Sequence, residues 1–186
     1  MKFLKRTLFT ILLLTAVGIL FRGWIYRQLI TYKSAGIRTN YAATDDKLVA
    51  LIHEKAENQN NPDIQQIIKL GLSITSGHLR FTTEKNELDP NKLIRSKTAH
   101  CVGYASFFAT TCNELLEKYK LSDQWTAKPQ VGELFLFGYN IHSLFNSSFF
   151  KDHDFVTIEN KTTSEIFAVD PTIHDYLWID FISFER

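Results

Sequence analysis

The 186-residue chain has only two cysteines, one methionine and four prolines, and it has no acidic residue before Asp45. Internal repeats and low-complexity tracts are also missing, and the formal net charge is only +1. Each shortage excludes something. Two cysteines cannot build the disulfide framework that replaces a core in small exported domains. The residues available to hold a metal are His100, Cys101, Cys112, His142, His153 and His174, and no pair has a spacing such as Cys-x2-Cys or His-x3-His. Zinc is therefore a weak alternative, and no cofactor is expected. Seven of the 21 basic side chains lie within residues 1–38, which leaves 14 basic against 20 acidic groups in the rest. An acidic body gives no electrostatic footing for nucleic acid.

The basic start surrounds the one long apolar run. After "MKFLKRT" come 14 uncharged residues, Leu8 to Phe21, followed by "RGWIYRQLI". Fourteen is short for a span and suits a signal-peptide core. The run continues as a span if Arg22 and Arg27 snorkel and Trp24 and Tyr26 sit at an interface. We read residues 1–33 as an uncleaved, single-pass membrane anchor, with a cleaved signal as the alternative. The body is then expected on the extracytoplasmic side. Residues 34–44, "SAGIRTNYAAT", read as a linker, and residues 45–186 as the domain.

Within the body, Thr44 is placed to cap a helix through "DDKLVALIHEKAEN", and Asn61-Pro62 to open another that ends near Gly77. Residues 78–99 show little periodicity and read as a long loop. Cys101, Ala105, Phe108, Cys112, Leu115 and Tyr119 then recur at steps of three and four, one face of a helix. Downstream the period shortens. "VGELFLFG", "DFVTIEN", "EIFAVD" and "WIDFISF" are rich in β-branched and aromatic residues and read as antiparallel strands. Helices first and strands afterwards give an α+β fold.

Cys101 and Cys112 cannot pair within one helix. Eleven residues at about 1.5 Å each set them roughly 16 Å apart, beyond the ~7 Å that a disulfide tolerates. Cys112 falls in the buried stripe and reads as a small hydrophobe. Cys101 falls in the first turn, where free backbone N–H groups and the helix dipole lower a thiol pKa. A base is available from the strands. A hairpin centred between Lys161 and Thr162 sets His153 opposite Asp170 on one sheet face, where the carboxylate orients the imidazole.

In this order, "HCVGYA", "HDFVTI" and "FAVDPT" resemble the transglutaminase-like (papain-like) superfamily, over roughly Thr75 to Leu177. The resemblance rests on Cys101, Gly103, Tyr104 and Ala105, on His153, Phe155 and Val156, and on Asp170, Pro171 and Thr172. It implies a cysteine-headed helix packed on an antiparallel sheet, with Cys101 as nucleophile, His153 as base and Asp170 as orienting acid. It also implies a thioester intermediate and a protein or peptide substrate, resolved by water in a peptidase or amidase, or by an amine in a cross-linking acyltransferase. The chain departs from the pattern in three places. Asp154 stands where a small residue is common, Phe155 replaces a frequent tryptophan, and the segment Gly138 to Asp152 is long enough to shape a cleft. Asp154 reads as a surface or capping group. The alternative of another class is a non-catalytic binding module tethered to the membrane. Two glycosylation triplets, Asn146-Ser147-Ser148 and Asn160-Lys161-Thr162, complete the motifs.

Overall fold

The computed structural model describes residues 2–147 and 150–186, with side chains from residue 5 onward; Ser148, the end of the first glycosylation triplet, lies outside the described residues. The fold is mixed α+β, with a sheet packed against helices.

The sheet runs β7 (Ile166–Val169), β6 (Phe155–Asn160), β4 (Trp125–Leu136), β1 (Ile30–Ile37) and β8 (Ser183–Glu185), with β5 (Tyr139–Asn140) pairing to the end of β4. Its pairs are antiparallel except β1 with β8, which run parallel. The long strand β4 serves two neighbours in turn: its first half pairs with β6 and its second with β1.

Side chains alternate across β6 and β7, as the pleat requires. Val156, Ile158 and Val169 join the main core with the helices, while Phe155 and Ala168 join Tyr32, Leu134 and Ile182 in a smaller cluster. The main core is built on α6 (Cys101–Lys118), packed between the sheet and α4 (Ile64–His78). The face read from the sequence holds: Ala105, Phe108, Cys112 and Leu115 are fully buried.

Several boundaries differ from the sequence reading. Residues 34–37 are not linker, because β1 continues through them and pairs with residues 130–132 of β4. The domain therefore begins before residue 45. Arg22 donates to the carbonyls of Leu177 (2.6 Å) and Trp178 (3.1 Å), and Arg27 to that of Phe181 (3.4 Å). No single described helix is long and apolar enough to cross a membrane. The pair α1 (Lys2–Leu20) and α2 (Arg22–Leu29), bent by 74° between Lys5–Leu20 and Arg22–Leu29, passes by length and composition together. The described apolar side chains of α1, from Leu8 to Leu20, are largely exposed.

The stretch 78–99 holds a short parallel pair, β2 (Arg80–Phe81) with β3 (Thr98–Ala99), and a helix α5 (Pro90–Ser96) capped by Asp89. The cap of α3 (Asp46–Lys55) is Asp45 rather than Thr44, and α4 starts at a capping box of Asp63 and Gln66. Of "WIDFISF", only its end enters β8.

Candidate active site

Cys101 is the first residue of α6. The N-cap, His100, makes no side-chain capping bond, so it occupies none of the free N–H groups at the helix head with its ring. Gly103 follows because the space beside it is taken: a Cβ there would lie 2.8 Å from the Ala99 Cβ and 3.3 Å from Leu93. One residue further on, the Tyr104 hydroxyl donates to Asp175 (2.8 Å) and ties the helix head to α7 (Pro171–Leu177).

Asp170 is the N-cap of α7 and is fully buried. Oδ1 accepts from the backbone N–H groups of Thr172 (2.9 Å) and Ile173 (3.1 Å), and Oδ2 from the Tyr32 hydroxyl (2.8 Å) and His153 Nε2 (2.6 Å). Four donors satisfy a buried carboxylate that would otherwise be costly. The interactions with His153, Tyr32 and the helix N–H groups outweigh burial and hold its pKa below the ordinary carboxylate value.

His153 precedes β6, and its backbone N–H bonds to the Gly132 carbonyl (2.9 Å). With Nε2 engaged by Asp170, Nδ1 is the ring nitrogen left to serve the Cys101 thiol, and the two groups shift each other's pKa. Burial disfavours the imidazolium, yet Asp170 and the Cys101 thiolate raise the His153 pKa well above its ordinary value. Burial likewise raises the Cys101 pKa, but hydrogen bonds from His100, His153 and the Asp154 backbone, with the imidazolium charge, bring it down to about 7. Near neutral pH these opposed shifts favour a thiolate–imidazolium pair. Cys112 is the contrast: fully buried and unpaired, its thiol is pushed up to about 12.

The expected hairpin register is two residues out. Val156 pairs with Val169, so the numbers sum to 325 rather than 323. A two-residue slip keeps every side chain on its face, and His153 therefore still meets Asp170, diagonally instead of directly across.

Asp154 is not a surface group. It is fully buried and takes a bidentate pair from Arg38, Nε to Oδ2 at 2.8 Å and Nη2 to Oδ1 at 3.0 Å. Arg38 also reaches Asp152 at 3.1 Å. Neither Arg38 nor Tyr32 is apparent as part of the site from sequence pattern, since both stand in the basic, apolar N-terminal stretch. Their signal is the pairing of β1 with β4, which is set by residues about 100 positions away.

Cys101 and His153 open into a cavity of about 320 Å³ whose walls include Phe81, Leu134, Ile141, Phe145 and Phe150. Three of those five come from the long segment 138–152, and Phe81 arrives through β2. Among the described residues no group of three or more His, Cys, Asp or Glu is placed to hold a metal ion. His174 is paired with Asp180 (3.0 Å).

The arrangement defines, chemically, a buried carboxylate, an oriented imidazole and an acidified thiol at the mouth of an apolar cavity. Compared with known proteins, the chain matches no family model, no curated protein and no solved structure.

Proposed function

We propose that the chain is a thiol enzyme of transglutaminase-like fold that cleaves amide bonds as a peptidase or amidase, held at a membrane by α1 with its domain on the extracytoplasmic side. The observation that carries this reading is the continuous chain Asp170–His153–Cys101, with the thiol pKa lowered to about 7 and the imidazole pKa raised. Such opposed shifts mark a nucleophile and its acid–base partner.

The Cys101 thiolate attacks the amide carbonyl carbon. The Cys101 backbone N–H, in the first turn of α6 and without an intrahelical acceptor, donates to the oxyanion that forms. The tetrahedral intermediate collapses as the His153 imidazolium gives its proton to the departing amine, leaving a thioester. His153, now neutral, takes a proton from water, which attacks the thioester and releases the acid and the thiolate. An amine in place of water would give acyl transfer through the same steps. Asp170 holds the ring in the orientation that serves both halves.

The test is the pH dependence of Cys101 alkylation by iodoacetamide, followed by mass spectrometry on the full chain in lipid nanodiscs. The expected rate rises through a group titrating near 7, and His153→Ala moves that titration up toward the ordinary thiol value of about 8.5. An ordinary titration, indifferent to His153, would overturn the reading and leave a binding module.

A further inference from the structure

Few buried side-chain polar atoms lack a hydrogen-bond partner among the described residues, and they belong to Asn86, Thr111, His142 and Thr172. Two of these four residues, His142 and Thr172, line the same cavity as Cys101 and His153. An unpaired buried polar atom costs about 1–3 kcal/mol, and a cluster of them at a cavity wall is accounted for if a ligand supplies the partners.

The chemistry of each atom can be read from its surroundings. His142 Nδ1 lies 2.6 Å from the Phe150 carbonyl oxygen, which can only accept, so Nδ1 carries the proton. In the neutral ring Nε2 then presents a lone pair. It is suited to accept from an amide N–H. Thr172 follows directly from the Asp170 cap, and its backbone N–H is bound to Asp170, but its hydroxyl has no partner. A hydroxyl can donate to a carbonyl oxygen. One acceptor and one donor, set beside the apolar side chains of Phe81, Leu134, Ile141, Phe145 and Phe150, match a peptide unit attached to an apolar side chain.

We infer that this cavity takes the bulky apolar side chain adjacent to the attacked carbonyl of a peptide, with His142 Nε2 and Thr172 Oγ1 positioning the peptide's own N–H and C=O groups. The inference rests on the thiol-enzyme reading above. Phe81, Leu134, Ile141, Phe145 and Phe150 provide the apolar contact, and about 320 Å³ is room for one aromatic or branched aliphatic side chain. A charged side chain would be stripped of water there. Asp152, which also lines the cavity, is already engaged by Arg38.

The probes are the L and D enantiomers of acetyl-phenylalanyl chloromethyl ketone, with the full chain in nanodiscs. The Cys101 thiolate forms a thioether with the methylene carbon while the carbon–chlorine bond breaks and chloride leaves. Enantiomers partition into lipid equally, so the ratio of their alkylation rates reports the cavity alone. We expect the L form to react at least about tenfold faster, and acetyl-L-glutamyl chloromethyl ketone to be slower than either, since each 1.4 kcal/mol of lost contact is tenfold. Thr172→Val and His142→Asn, the latter keeping a donor for the Phe150 carbonyl, should each cut the L-to-D ratio about fivefold, the worth of one hydrogen bond.

Thr172→Val should also melt no lower than the native chain, because the hydroxyl it removes has no partner in the free protein. Equal rates for the two enantiomers, or an L-to-D ratio that survives both substitutions, overturns the assignment. A lowered melting temperature for Thr172→Val removes Thr172 from it. The iodoacetamide profile separates the two ideas: an ordinary thiol titration defeats the enzyme reading, whereas an activated thiol blind to chirality defeats only the cavity assignment.

Discussion

Replacing Tyr32 with Phe isolates the contribution of β1 to the site. The substitution keeps the ring, which packs against Phe155 at 5.3 Å between centroids, and removes only the hydroxyl that donates to Asp170 Oδ2 at 2.8 Å. Three donors remain on the carboxylate: His153 Nε2 and the N–H groups of Thr172 and Ile173. A hydrogen bond to a charged acceptor is worth about 1.5–3 kcal/mol. Both partners are fully buried, so water does not replace it. The Tyr26 hydroxyl, 2.7 Å from that of Tyr32, loses a partner too but is only part-buried.

A loss of about 2 kcal/mol lowers the melting temperature by roughly 4–8 °C in a chain of this size. Its pH dependence has a definite sign. Asp170 has a folded pKa below its unfolded one, so its stabilisation is fully present above about pH 4 and fades as the pH falls through the folded value. The gap between native and Tyr32→Phe is therefore widest near neutrality and closes on acidification. Urea titrations of both proteins at several pH values between 7 and 3, followed by tryptophan fluorescence, read it directly. No gap at pH 7, or a gap that widens on acidification, would refute the account of Asp170.

Two further outcomes follow from the strands around the site. A Cβ at Gly132 would lie 2.4 Å from the His153 carbonyl oxygen and 2.6 Å from the Phe155 ring, so Gly132→Ala must push β6 away from β4. It should cost about 1–3 kcal/mol and return Cys101 alkylation toward an ordinary thiol profile; a native profile would show that His153 is held from elsewhere. A chain beginning at residue 39 lacks β1 and the Arg38 partner of Asp154, and should show no dispersed amide spectrum, whereas one beginning at Arg22 should. Dispersed spectra from both would mean that β1 is dispensable.

The helix that carries Cys101 and the strands that carry His153 were legible in the sequence because they are locally periodic. Twelve of the eighteen residues of α6 are buried, and their spacing needs no partner to be read. The contact between His153 and Asp170 was recovered despite a wrong register because parity, not position, decides the face. By contrast β1 was illegible. "SAGI" has linker composition, and of "ITYKSAGI" only Tyr32 is buried, so no alternation announces a strand. Its identity comes from pairing with β4 and β8, far along the chain.

The loss of Asp154 to the surface in the sequence reading has the same origin, since its partner Arg38 stood among charges attributed to a membrane flank. The helix α5 did have a signal: Asp89-Pro90 is a cap followed by proline at the first position. The same cue at Asn61-Pro62 pointed two residues too early, because Asp63 supplies the cap there.

The parallel pairing of β1 with β8 gives the protein an order of events. Lys33 and Glu185, separated by most of the chain, are aligned in register and joined by a 2.9 Å ion pair. During translation at about 5–20 residues per second, β1 emerges early and waits roughly ten to thirty seconds for its last neighbour. Tyr32, the donor to Asp170, lies in that strand between Leu134 of β4 and Phe184 of β8. A chain clipped before residue 183 would therefore lose the strand that pairs with Thr31–Lys33 on one side, and with it part of the setting that holds the Tyr32 hydroxyl on Asp170.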